Sequence, residues 1–161
     1  MWTECVLKGL DDTARLGRVL GRSLPHHAVC LLRGDLAAGK TTLIKQICAQ
    51  FEIDPKIVIS PTYTVANWYH GRVSVCHVDF YRLDSAGQLR DIDQEDWLNP
   101  DGPTFIEWPD LAVPLLEGIG TLQIALLLVE NDDQARCVQV SSDDPVYAET
   151  FTALEQEFGC P

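Results

Sequence analysis

Residues Gly34-Asp35-Leu36-Ala37-Ala38-Gly39-Lys40-Thr41 fit the pattern G-x-x-x-x-G-K-[ST] at every fixed position. The residues on either side fit as well. His27-Ala28-Val29-Cys30-Leu31-Leu32 is the kind of apolar run that makes a strand buried on both faces. From Lys40 onward, Leu43, Ile44, Ile47, Cys48 and Phe51 recur at helical spacing. Residues 27–51 therefore read as strand, loop, helix. A loop in that setting wraps backbone N–H groups around phosphate oxygens, and glycine permits both the turn and the close approach. The helix turns its N-terminal N–H groups and the positive end of its dipole toward the same anion. Lys40 then reaches the β- and γ-phosphates, and the Thr41 hydroxyl ligates Mg²⁺. Asp35, Leu36, Ala37, Ala38, Gly39 and Thr42 complete the cradle. The competing reading is a glycine-containing strand-to-helix turn with a surface lysine.

The rest of the chain reads as more of the same domain. Residues 3–8 suggest a short strand. Asp11-Asp12 marks a helix start, with Leu16, Val19, Leu20 and Leu24 on one face and Pro25 as the stop. Val65 to Tyr69 and Val73 to Asp79 are strand-like around the turn His70-Gly71-Arg72. Thr104 to Glu107 is a short buried strand closed by Pro109. Leu122 to Val129 is another apolar run, and Asn131-Asp132-Asp133-Gln134 turns it into a last strand, Arg136 to Val140. Thr150 to Phe158 suggests a C-terminal helix. The expected fold is α/β: a P-loop NTPase-like three-layer sandwich with a mixed, mostly parallel central sheet and two hairpins. Residues 1–161 form one domain, with no linker, repeat or low-complexity segment, and the tail after about 145 adds no pattern.

A phosphate loop needs carboxylates at the C-terminal ends of neighbouring strands, to hold Mg²⁺ and orient water. Asp79 ends Val75-Cys76-His77-Val78-Asp79, and Glu107 ends Thr104-Phe105-Ile106-Glu107. An N-cap or turn acid is the plainer reading of each. Asp91, Asp93, Glu95 and Asp96 read instead as a solvated charged face. Ser60-Pro61-Thr62-Tyr63-Thr64 lies where a loop sensing the γ-phosphate would sit, with hydroxyls at 60, 62 and 64 and Pro61 as a stiffener. A plain Ser-Pro turn accounts for it equally well.

Taken in order, the motifs resemble a known family. Gly34-Asp35-Leu36 with Gly39-Lys40-Thr41-Thr42, then Ser60-Pro61-Thr62, then His77-Val78-Asp79-Phe80-Tyr81-Arg82-Leu83, then Ile106-Glu107-Trp108-Pro109 look like the four signatures of TsaE, also called YjeE. The resemblance runs from about Thr13 to Arg136. It departs at Ala37, where the family usually has a third glycine. An alanine there implies a backbone angle that alanine tolerates.

The resemblance implies a Mg²⁺-dependent ATPase that acts with TsaB and TsaD in forming threonylcarbamoyladenosine in tRNA. Its site would comprise the phosphate loop, Thr41 and Glu107 at Mg²⁺, and Asp79 as the Walker B-like acid, so that Lys40, Asp79 and Glu107 carry catalysis. Thr13 falls where the family has a threonine near adenine, and Arg136 at a late arginine near the nucleotide. A helix N-terminal hydroxyl and an exposed strand residue are the plainer readings of those two. Trp108 reads equally as a packing aromatic. Arg82 reads as a fork for a phosphate or a partner carboxylate, or as half of a surface ion pair.

Charge narrows the partners. With 24 Asp+Glu against 12 Lys+Arg, the net charge is −12, which argues against a chain that grips tRNA phosphates by itself. No basic leader and no apolar stretch of membrane-spanning length is seen, and the six cysteines show no C-x-x-C spacing. A reduced, cytoplasmic protein with no membrane contact is expected. The alternative activity is a small-molecule P-loop kinase. The scattered arginines, without a lid-like cluster, count against it, and the absence of N-K-x-D counts against a GTPase. A binding module with slow, incidental hydrolysis overlaps the family reading.

Overall fold

The computed structural model describes residues 1–85, 88–89, 92–94, 97–99 and 101–159. Its frame is a seven-stranded sheet, and strand alternation decides what each side chain meets. The strands are β1 (Trp2–Leu7), β2 (Val29–Arg33), β3 (Ala66–His70), β4 (Ser74–Asp79), β5 (Thr104–Glu107), β6 (Thr121–Val129) and β7 (Asp132–Ser141). Their order across the sheet is β1-β7-β6-β2-β5-β4-β3. The pairs β6·β2, β2·β5 and β5·β4 are parallel, and the pairs β1·β7, β7·β6 and β4·β3 are antiparallel. The sheet is thus mixed, with β3–β4 and β6–β7 as its two hairpins.

Three helices cover one face: α1 (Leu10–Ser23), α2 (Lys40–Ala49) and α3 (Ala148–Phe158). Toward them point Cys30 and Leu32 of β2, Val75 of β4, Phe105 of β5 and Ile124 of β6, in one apolar core with Leu16, Leu20, Ile44 and Ile47. The alternate residues Val29, Leu31, Cys76, Val78 and Ile106 face a second core, closed by Phe80, Leu89, Trp97, Ala112 and Leu116. Period-two alternation in strands buried on both sides produces this division. Gly17 lets α1 lie against α2: a Cβ there would fall 2.3 Å from that of Gln46. Buried Cys30, Cys48 and Cys76 pack as small apolar groups, and burial pushes the Cys48 and Cys76 thiols up to about 12.

Several boundaries differ from the sequence reading. His27 is exposed and precedes β2, which starts at Val29. Pro25 acts as expected, because Leu24 is already extended (ψ 137°) where α1 stops. The polar run Asp132–Gln134 belongs to β7 rather than to the turn. Val129 pairs with Asp132 while Leu128 pairs with Arg136, so a bulge takes up the extra residues. Asp93 is exposed; Asp91, Glu95 and Asp96 lie outside the described residues. No described helix is long and apolar enough to cross a membrane.

Candidate nucleotide-binding site

The parallel strands bring the motif residues to one edge. Glu107 pairs in register with Asp79 on one side and Leu32 on the other, and the phosphate loop leaves the sheet just beyond Leu32. Gly34 has φ 143°, and a Cβ there would lie 2.4 Å from the Leu126 carbonyl oxygen, so the sharp exit requires glycine. Gly39 (φ 105°) begins α2, whose first turn has no side-chain cap. Its N–H groups are left for an anion. Ala37 adopts φ 64°. That is the left-handed region, which costs an L-residue on the order of 1 kcal/mol relative to the right-handed one, so the loop keeps a glycine-like shape at some expense.

Lys40 is 4% exposed. Its Nζ donates to the carbonyl oxygens of Gly34 (2.7 Å) and Asp35 (3.0 Å) and lies 4.2 Å from the centroid of the Trp108 ring. Among the described residues, no carboxylate is within salt-bridge distance of it. Burial lowers its pKa, opposed by the charges of Glu107, Asp79 and Asp35. A buried ammonium held by neutral groups, two loop carbonyls and an aromatic face, retains its attraction for a polyphosphate.

The two strand-end acids, each 4% exposed, do different work. Glu107 Oε1 accepts from the Thr41 hydroxyl at 2.6 Å. Asp79 instead holds the 60–64 loop: its Oδ2 accepts from Ser60 Oγ (2.5 Å) and Thr62 Oγ1 (2.9 Å), and its Oδ1 from the Tyr81 N–H (2.9 Å). Pro61 is buried, and its carbonyl accepts from the N–H groups of Thr64 and Val65, which closes the turn. Thr64 is not brought in, because its hydroxyl donates to Asn67 Oδ1 at 2.9 Å on the exposed side. Among the described residues, no carboxylate lies within salt-bridge distance of Arg82; its guanidinium lies 4.0 Å from the Tyr63 ring centroid.

These groups enclose a cleft of about 450 Å³ lined by Leu36, Lys40, Thr41, Ser60, Asp79 and Trp108, among others. A recess of about 150 Å³ adjoins it behind Ala37, Gly39 and Thr42, and it contains Thr13 and Arg136. Thr13 Oγ1 donates to the Gly9 carbonyl (3.1 Å). Arg136 Nε donates to the Ala38 carbonyl (2.9 Å), so this arginine props the loop from beneath. A larger hollow of about 480 Å³ near Gly118–Thr121 and Ser141–Pro145 contains no motif residue.

The donor set suits a nucleotide-bound Mg²⁺. That ion takes one or two protein groups beside phosphates and water rather than an all-protein cage. Thr41 and Glu107 offer a hydroxyl and a carboxylate one hydrogen bond apart at the head of the phosphate-binding helix. No cluster of three His, Cys, Asp or Glu side chains fit to hold a metal occurs among the described residues. One residue escaped the sequence reading as a site group. His77 is fully buried, with Nε2 2.9 Å from Glu107 Oε1. Its signal was present: a polar residue two before Asp79 on a buried strand, hence on the same face.

A family model described as Threonylcarbamoyl adenosine biosynthesis protein TsaE matches residues 7–138. The chain is 39% identical over 125 residues to the tRNA threonylcarbamoyladenosine biosynthesis protein TsaE of Treponema pallidum, covering 77% of this chain and 92% of that one. It is 36% identical over 111 residues to the protein of that name from Synechocystis, covering 66% and 70%. The crystal structure of Bacillus subtilus YdiB matches with a TM-score of 0.80 at 22% identity, over 97% of this chain and 95% of that one, and supports the fold.

Proposed function

The chain belongs to the TsaE family, and from that premise we propose that it is a Mg²⁺-dependent ATPase serving threonylcarbamoyladenosine formation in tRNA. It works in the cytoplasm with TsaB and TsaD, through a binding cycle gated by the nucleotide. The observation that carries the ATPase reading is the pairing of Thr41 with Glu107 beside a buried Lys40 that has no carboxylate partner among the described residues. The loop N–H groups and Lys40 bind the β- and γ-phosphates. Thr41 and Glu107 would hold Mg²⁺, which when bound neutralises charge developing on the phosphoryl oxygens. Asp79 orders Ser60 and Thr62 beside the γ-phosphate position, where their hydroxyls orient water. Thr13 and Arg136 line the recess that would receive the base.

The kinase alternative is weaker. Such enzymes bring arginines over the transferred group. Here Arg15 pairs with Glu157, Arg33 with Gln123 and Asp110, and Arg136 with loop carbonyls. The test is phosphate release from MgATP by the pure protein, alone and with TsaB and TsaD. Turnover that rises with the partners supports the reading. Phosphoryl transfer to a small molecule without net hydrolysis would replace it with the kinase.

A further inference from the structure

We propose that His77 is a positioning residue for the metal-binding carboxylate: its Nε2–H fixes Glu107, and through Glu107 the Thr41 hydroxyl. The inference rests on the reading of the cleft as a Mg²⁺-nucleotide site. His77 is completely buried in β4, between Cys76 and Val78, which face the other core. A carboxylate oxygen only accepts, so in the metal-binding form of Glu107 the proton shared at 2.9 Å sits on Nε2. Thr41 donates to the same oxygen at 2.6 Å. Two donors therefore converge on Oε1 and use its lone pairs, which leaves the carboxylate's remaining acceptor capacity on Oε2. One donor alone would let the carboxylate turn about its terminal torsion, which is soft and broad. With both, the plane of the group is set.

The other ring nitrogen argues against a purely packing role. Among the described residues, nothing hydrogen-bonds the buried His77 Nδ1. An unsatisfied buried polar atom is a cost that leucine or phenylalanine would avoid at this position. What histidine adds over those side chains is the contact with Glu107. Outer partners that orient ligating carboxylates commonly control metal affinity. Among the described residues, the Lys40 ammonium bonds the Gly34 and Asp35 carbonyls and lies over Trp108, whereas the His77 ring bonds Glu107, so the grip on the polyphosphate itself should depend little on the ring.

The experiment uses the full chain, a saturating non-hydrolysable ATP analogue, and Mn²⁺ as a paramagnetic probe, with free Mn²⁺ read by electron paramagnetic resonance. His77→Leu should weaken Mn²⁺ binding by ~10- to 100-fold, while analogue affinity in EDTA stays within about twofold, since the substitution removes no group that bonds the phosphates. His77→Gln, whose amide nitrogen can take the place of Nε2, should recover most of the loss; His77→Asn, one methylene shorter, should not. The Gln/Asn contrast decides the matter if the leucine variant fails to fold. Unchanged Mn²⁺ affinity in His77→Leu overturns the proposal. So does equal loss in the Gln and Asn variants, or a loss matched by the metal-free affinity. If the unmodified chain binds the analogue but retains no Mn²⁺ with it, the metal site itself is wrong, a failure distinct from that of His77.

Discussion

At the scale of single residues, the site is governed by what burial does to charge. The Lys40 ammonium is disfavoured by desolvation, so its pKa in the free chain is lowered. A polyphosphate favours the protonated form, so binding takes up a proton wherever the free chain has begun to lose one. Linkage then fixes the sign: nucleotide affinity falls as pH rises through the lowered Lys40 pKa. Titration of an ATP analogue from neutral to alkaline pH checks this, and Lys40→Arg, which stays charged, should flatten the profile. Thr41 and Glu107 make a different prediction. Replacing either by alanine should raise the Mg²⁺ needed for half-maximal turnover and cut turnover by ~10²-fold or more, with some nucleotide binding left. Turnover measured at limiting and saturating Mg²⁺ separates that from a general loss of fold.

At the scale of elements, the 60–64 loop is tied to the sheet by one carboxylate. Asp79 accepts from Ser60, Thr62 and the Tyr81 N–H. Asparagine keeps only one acceptor oxygen, so Asp79→Asn should release part of the loop. Hydrogen exchange at residues 62–65 should then be faster in the variant. In the unmodified chain it should be slower with a γ-phosphate analogue than with ADP. Equal exchange in all three samples would make this segment an ordinary Ser-Pro turn.

This scale also shows what could be read in advance. The strand–loop–helix unit was legible because buried strands and amphipathic helices carry distinct periods, and the glycines between them have steric reasons to be there. The strand ends at Asp79 and Glu107 were legible because a charge closing an apolar run marks the edge of a sheet. The hydroxyl partners of the two acids were not, since they depend on which segments the fold brings to them. Arg136 under the loop depends on the β6–β7 hairpin lying next to β2, a pairing without a local signature. The start of β7 was misread because Asp132–Gln134 has turn-like composition, and a bulge absorbed it into the strand.

At the scale of the molecule, the proposed partners follow from charge and family membership. A chain at −12 is repelled by tRNA phosphates. No binding of tRNA by the isolated protein is expected at physiological salt, as read by filter retention or mobility shift. Partners that prefer the ATP state must raise ATP affinity by the same factor that ATP raises theirs. Pull-downs with TsaB and TsaD should therefore recover most complex with ATP, less with ADP and least without nucleotide. Identical recovery in the three would remove the gating.

The central claim is that the cleft binds a nucleotide through Lys40 and the phosphate loop. Calorimetric titration of the pure chain and of Lys40→Ala with a non-hydrolysable ATP analogue and Mg²⁺ tests it most directly. Loss of a desolvated charge contact of about 2 kcal/mol or more corresponds to a drop of at least ~30-fold. The account predicts saturable one-to-one binding by the unmodified chain and that loss in the variant, with the fold retained. Equal affinity of the two proteins, or no binding by the unmodified chain, would contradict it.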